Sequence, residues 1–210
     1  MVTVFIDPDK GTLIVDISDT ITPEDAKIFL NHPLLHPKKP LEELYILIKS
    51  TGGDMAACLS IYKDLERMTA SGTRTFGITG TEASSGALLI LLGCEKRMAS
   101  VDTKFRIHAV NITRNVRRLN NEFESTFVKY LKKNKKDIPN MHELELTTLA
   151  KEMLQSMASN PIEMQEELES ILRKKTILPP EKIKHIMEQK SFVTLLSEEA
   201  LDYQIIHGIY

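Results

Sequence analysis

The sequence predicts an α/β fold, and three observations in the 210-residue chain predict it. Short β-branched runs alternate with helical patterns through the first half, the arrangement in which crossover helices let strands pair in parallel. Two of those runs end in turns of small residues that open helices, Ser50-Thr51-Gly52-Gly53 and Glu82-Ala83-Ser84-Ser85-Gly86. Beyond about Asn111 the pattern changes to helix after helix with charged faces.

The strand candidates are Val4–Ile6, Thr12–Ile17, Leu44–Lys49, Thr73–Thr79, Lys96–Ala99 and Phe105–Ala109. Between the second and third, Thr22 is placed to cap a helix, Pro23 suits its first turn and Asp25 closes a capping box. That helix should reach about Asn31, before the loop of Pro33, Pro37 and Pro40. Asp54 to about Met68 carries Met55, Leu59, Tyr62 and Leu65 at helical spacing. Ser84 to Leu92 is apolar all round in its interior, which predicts a helix buried on most faces. In the second half, Val116, Leu119, Phe123, Phe127 and Leu131 form one apolar stripe, and Ile162, Leu168, Ile171 and Leu172 another. Pro179-Pro180-Glu181 starts a short helix, followed by a strand over Phe192–Leu195, a helix capped by Ser197 and a last strand over Ile205–Ile209.

Composition narrows the classes without choosing among them. The 27 Lys and Arg against 29 Asp and Glu leave a formal net charge of −2, so bulk charge points to no nucleic acid and no acidic surface. The basic stretch from Arg114 to Lys136 lacks interleaved aromatics and reads as a solvated face. No apolar run reaches membrane-spanning length, and the N-terminus alternates apolar residues and meets acid early, unlike a signal peptide. Two distant cysteines, Cys58 and Cys94, argue against a disulfide framework or a zinc knuckle and read as core packing in a reducing, cytoplasmic setting. No metal site is expected, because His142-Glu143 lacks the second histidine four positions on.

Chemistry is expected at the two small-residue turns. Backbone N–H groups at a helix N-terminus attract negative charge, and a serine on a tight turn opening a buried helix is a sound nucleophile position. Serine is also a common helix cap, so the turn by itself leaves both readings open. His108 ends a buried-type strand, whereas His32 and His36 sit in a Pro-rich loop, His142 and His185 on charged helices and His207 near the C-terminus.

Taken in order, Ile48-Lys49-Ser50-Thr51-Gly52-Gly53, Ile61-Tyr62, Ala83-Ser84-Ser85-Gly86-Ala87 and Ile107-His108 resemble the motifs of the proteolytic subunit of the Clp protease. The resemblance runs from about Thr12 to Ala109 and, more faintly, from Glu181 to the end. It implies the repeated ββα core that this family shares with crotonases, with a helical insertion after the histidine. On that basis the chain is one Clp protease-like domain, with core segments 1–110 and 188–210 and an insertion over 111–187. The resemblance makes Ser84 the nucleophile and His108 the general base. It makes the N–H groups of Gly53 and Ser85 the oxyanion hole, with Gly52 and Thr51 lining the substrate site. Where the family has its orienting aspartate, this chain has Lys190; a register shift would instead supply Glu188, Asp102 or Asp202. An ammonium there opposes the imidazolium that an aspartate would stabilise.

The implied function is serine-type hydrolysis of peptide or unfolded protein through an acyl-enzyme, in a homo-oligomeric ring and without cofactor. The implied partner is an ATPase of the AAA+ class, although the chain begins near the family's first core strands and leaves out most of the axial-pore segment. The alternative reading is a catalytically degenerate Clp-like subunit with a structural or regulatory role in a ring. Acyl-CoA chemistry on the same scaffold would need carboxylates beside the turns, for which Glu82 and Asp54 are the candidates.

Overall fold

The computed structural model describes residues 1–6, 12–38, 41–110, 162–188 and 192–210. The basic stretch, the Val116 to Leu131 stripe, Lys190 and most of the expected insertion lie outside the described residues. Contacts divide the chain into two compact units, one of Met1–Ala109 with Leu168–Tyr210 and one of Val110–Glu167.

In the core unit, β1 (Val2–Ile6) pairs antiparallel with β2 (Leu13–Ile21). From β2 the chain winds in parallel through α1 (Pro23–Asn31), β3 (Glu43–Gly53), α2 (Met55–Ala70), β4 (Arg74–Ala83), α3 (Gly86–Gly93) and β5 (Lys96–Ala99). The short β8 (Gly208–Ile209) closes the other edge against β5, giving the order β1-β2-β3-β4-β5-β8. Off this path, β6 (Lys104–Ile107) and β7 (Val193–Leu196) pair antiparallel to each other, and β6 pairs with the end of β4 through Lys104 and Glu82. Residues 162–175 are helical (α4), and α5 (Pro180–Glu188) and α6 (Ser197–Asp202) complete the described helices.

Local chemistry explains these elements. The capping box on α1 forms as expected: Thr22 Oγ1 accepts from Asp25 N at 3.3 Å and the Asp25 carboxylate accepts from Thr22 N at 2.9 Å. The other Asp25 oxygen takes the Val2 amide at 2.9 Å, so one cap also anchors the edge strand. Every residue of α3 is buried, as its all-round apolar sequence predicts, and it packs on α2 and β3. Leu168, Ile171 and Leu172 are buried, whereas Ile162, the first member of that stripe, is exposed. Cys58 and Cys94 are free and buried, and burial pushes both thiols up to about 12.

Two terminal elements differ from expectation. The last strand shrinks to Gly208–Ile209, because Ile205 and Ile206 are buried in a turn held by Ala200 O. Ser197 does not cap α6: Leu196 holds the cap position, its amide received by Glu199 at 3.2 Å. The buried Ser197 hydroxyl donates instead to Ser100 O at 2.6 Å.

The C-terminal segment is tied to the sheet by Arg97, a buried side chain on β5. Its guanidinium donates to Ile205 O (2.7 Å), Gln204 O (2.8 Å), Cys94 O (3.2 Å) and Lys175 O (3.2 Å). Among the described residues, no helix is long and apolar enough to cross a membrane, and no cluster of three or more His, Cys, Asp or Glu side chains is placed to hold a metal ion.

Arg97→Met should leave these buried carbonyls short of donors and cost about 3 kcal/mol of unfolding free energy, read from urea denaturation. Glu66 links α2 to α4, accepting from Lys174 at 2.6 Å, from Lys175 and from Tyr62 at 3.0 Å. Burial alone would raise its pKa, but these donors outweigh it and hold the carboxyl at about 2. A depressed folded pKa gives stability that is fully present above the unfolded value, about 4.3. That contribution is lost as pH falls towards 2. Glu66→Gln should therefore flatten the loss of stability between about pH 4.5 and 2, measured by urea midpoints across that range.

Candidate active site

The site forms where the end of β3 meets the end of β4. Gly52 adopts φ 96°, a region that favours glycine, and a Cβ there would lie 2.8 Å from both Gly86 N and Ser84 O. At Gly53 a Cβ would lie 2.0 Å from Ile21 O, and at Gly86 it would lie 2.4 Å from Cys58 Sγ. The two turns thus approach backbone to backbone, and only hydrogen side chains permit it. Ser50 fixes the first turn, its hydroxyl donating to Asp19 O and accepting from Gly52 N at 3.0 Å. The turns are laced together by Ser84 N donating to Ser50 O at 3.1 Å.

The serine brought to His108 is Ser85, not Ser84. Ser85 Oγ lies 2.8 Å from His108 Nε2. Ser84 is 1% exposed, and its hydroxyl donates to Glu82 Oε1 at 2.6 Å. Ser85 occupies the cap position of α3 with φ 52° and ψ −125°, a strained backbone that costs about 1–3 kcal/mol and turns the side chain outwards from the helix end. Glu82, near the end of β4, takes the Ser84 hydroxyl just past that strand, and it is the next serine that meets the histidine.

The amides expected at the oxyanion position are placed as follows. The Ser85 amide donates to Arg106 O at 2.7 Å and is engaged there. Gly86 begins α3, so its amide is among those with no acceptor inside the helix. Gly53 N lies 3.8 Å from where a Cβ on Gly86 would stand, which keeps the expected Gly53 amide beside that helix start. Gly52 is buried in the same turn, and its amide is held by Ser50; Thr51 is exposed.

His108 follows β6 and is partly buried. Its Nδ1 lies 2.6 Å from Ala109 O. A carbonyl only accepts, so Nδ1 carries the hydrogen, and in the neutral ring Nε2 is free to accept from the Ser85 hydroxyl. Among the described residues, the group on Nδ1 is this carbonyl and not a side chain of Glu188, Asp102 or Asp202. Lys190 lies outside the described residues. Phe192 packs edge-on to the imidazole, with ring centroids 4.8 Å apart and planes at 79°. Neither this aromatic contact nor the Glu82 pairing with Arg106, at 2.6 Å, stands out in the sequence motifs.

The family model for Clp protease matches residues 11–160. The chain belongs to the Clp protease family. Among solved structures, it is similar to a mutant of ClpP1 from Listeria monocytogenes, with a TM-score of 0.62 and 20% sequence identity over 94% of this chain and 90% of that one. The fold is therefore that of the Clp proteolytic subunit and its crotonase-like relatives. No sequence among the curated proteins matches this chain. Family membership marks a Clp-type peptidase scaffold, and the parallel strand-helix-strand core described above carries its two turns.

Gly86→Ala should overpack the contact with Cys58, lowering stability by about 1–3 kcal/mol and shifting the start of α3. Adding Cys58→Ala, which removes the sulfur nearest the new methyl, should restore part of the lost melting temperature. A Gly86→Ala variant as stable as the parent would contradict this packing.

Proposed function

We propose that this Clp protease family member is a serine-type peptidase with Ser85 as nucleophile and His108 as general base. The observation that carries the reading is the 2.8 Å contact between Ser85 Oγ and His108 Nε2, with the Ala109 carbonyl 2.6 Å from Nδ1. Ser85 takes the role that sequence similarity assigned to Ser84, and the Gly86 amide takes the oxyanion role assigned to the Ser85 amide, with Gly53 retained.

The mechanism follows from those positions. Ser85 Oγ attacks the scissile carbonyl as its proton passes to Nε2. The tetrahedral oxyanion faces the amides of Gly86 and Gly53 at the positive end of α3. Collapse returns the Nε2 proton to the departing amine and leaves an acyl group on Ser85, which water removes by the reverse proton path. The Ala109 carbonyl supports the correct tautomer but lacks the full negative charge of a carboxylate. At about 4 Å and an effective dielectric near 20, that charge is worth up to about 4 kcal/mol, so turnover should be slow for this class, by as much as roughly 10³-fold. The substrate is a peptide or unfolded chain, and the working form is a homo-oligomeric ring, to be checked by native mass measurement. The free, buried cysteines agree with a cytoplasmic setting.

The degenerate-subunit reading draws on the same carbonyl in place of a carboxylate, and one experiment decides between the two. A fluorophosphonate probe should label the protein at Ser85, located by peptide mass spectrometry. Ser85→Ala and His108→Ala should abolish the adduct, while Ser84→Ala should keep it at a reduced rate. Labelling at Ser84, or none in the parent protein, overturns the proposal.

A further inference from the structure

Behind the Ser85 turn lies a closed ring of hydrogen bonds that the chemistry above does not use. Glu82 Oε1 accepts from Ser84 Oγ at 2.6 Å and from Arg106 Nη1 at 2.6 Å. The Arg106 amide donates to Ser84 Oγ at 3.3 Å, and the Arg106 carbonyl accepts the Ser85 amide at 2.7 Å. Arg106 lies on β6, and His108 follows directly after that strand ends at Ile107.

Resting on the reading of Ser85 and His108 given above, we propose that Glu82 and Arg106 are positioning residues for the nucleophile, acting through Ser84. The backbone of Ser85 is strained, and such a conformation persists only where its surroundings over-determine it. The ring supplies that determination from both sides. Glu82 holds Ser84 from the end of β4, the backbone of Arg106 takes the Ser85 amide and donates to Ser84 Oγ, and the Arg106 side chain fixes the Glu82 carboxylate that holds Ser84. The Glu82–Arg106 pair thus joins the turn that presents Ser85 to the strand that leads into His108. Drawing the Ser85 amide inwards also leaves the Gly86 amide as the donor at the helix start.

A purely structural ion pair would give a different signature. The Glu82 and Arg106 side chains are 22% and 38% exposed, and pairs this open contribute little to stability. Glu82→Gln keeps an oxygen that accepts the buried Ser84 hydroxyl but weakens the hold on Arg106, so its effect should appear in rate rather than in folding.

The test compares the parent protein with Glu82→Gln, Arg106→Met, Arg106→Lys and Ser85→Ala. The readouts are kcat and KM on a fluorogenic peptide, the rate of fluorophosphonate adduct formation, and Tm. For Glu82→Gln we expect kcat and adduct rate to fall together by about 10-fold or more, with KM within about twofold and Tm within a few degrees. Arg106→Lys should recover part of what Arg106→Met loses. Parental kcat and adduct rate in Glu82→Gln, or a loss matched by a fall in Tm across the series, overturns the positioning role alone. An adduct that survives Ser85→Ala, or its absence from the parent, overturns the nucleophile reading and this role with it.

Discussion

The close approach of the two small-residue turns is the constraint on which the site depends. Gly52 faces the start of α3 at a distance that no Cβ could occupy, and Gly86 faces Cys58 in the same way. Because the backbones meet directly, amides rather than side chains line the place where a substrate carbonyl would sit. Amides in a sheet end and a helix start are fixed before any substrate arrives, and preorganised dipoles of this kind stabilise charge without reorganisation. The all-buried α3 follows from the same constraint. A helix pinned at its first residue against α2, β3 and β4 has no face left for water, and its sequence is apolar at every interior position.

This architecture was legible in the sequence because each of its devices is local. The Thr22 and Asp25 capping box, the glycines of both turns and the all-round apolar run of α3 each announce themselves within a few residues. The parallel order follows from strands separated by helices. The C-terminal part was less legible because its determinants are distant. Ser197 sits where a cap would, yet its hydroxyl is taken by carbonyls of residues 100 and 103, and the 205–206 segment is held by Arg97 rather than by a strand partner. Such pairings span about a hundred positions and leave no periodic trace.

The choice between two adjacent serines marks the boundary of what a motif conveys. A motif fixes the order of small residues round a turn, but the rotation of the turn decides which hydroxyl faces the histidine. Here Glu82 and Arg106, which lie outside the motif, absorb the first hydroxyl and the second amide. With Ser84 Oγ held by a carboxylate and Ser85 N by a carbonyl, Ser85 Oγ is the hydroxyl that meets His108, and the proposed assignment rests on that partition of donors and acceptors.

The same accounting explains how the histidine is held. A carboxylate on Nδ1 would fix the tautomer, orient the ring and balance the charge that forms during the reaction, three tasks in one group. Among the described residues, the Ala109 carbonyl stands at Nδ1 and the Phe192 ring packs edge-on against the imidazole, so under the proposed chemistry the tautomer would be set by a dipole rather than a charge. The one carboxylate in the turn, Glu82, is already shared between Ser84 and Arg106 and so adds little net field at the imidazole. Under the proposed roles, geometry and charge compensation would fall to separate groups, and such a site would keep Ser85 and His108 in register at the expense of part of the electrostatic contribution to rate.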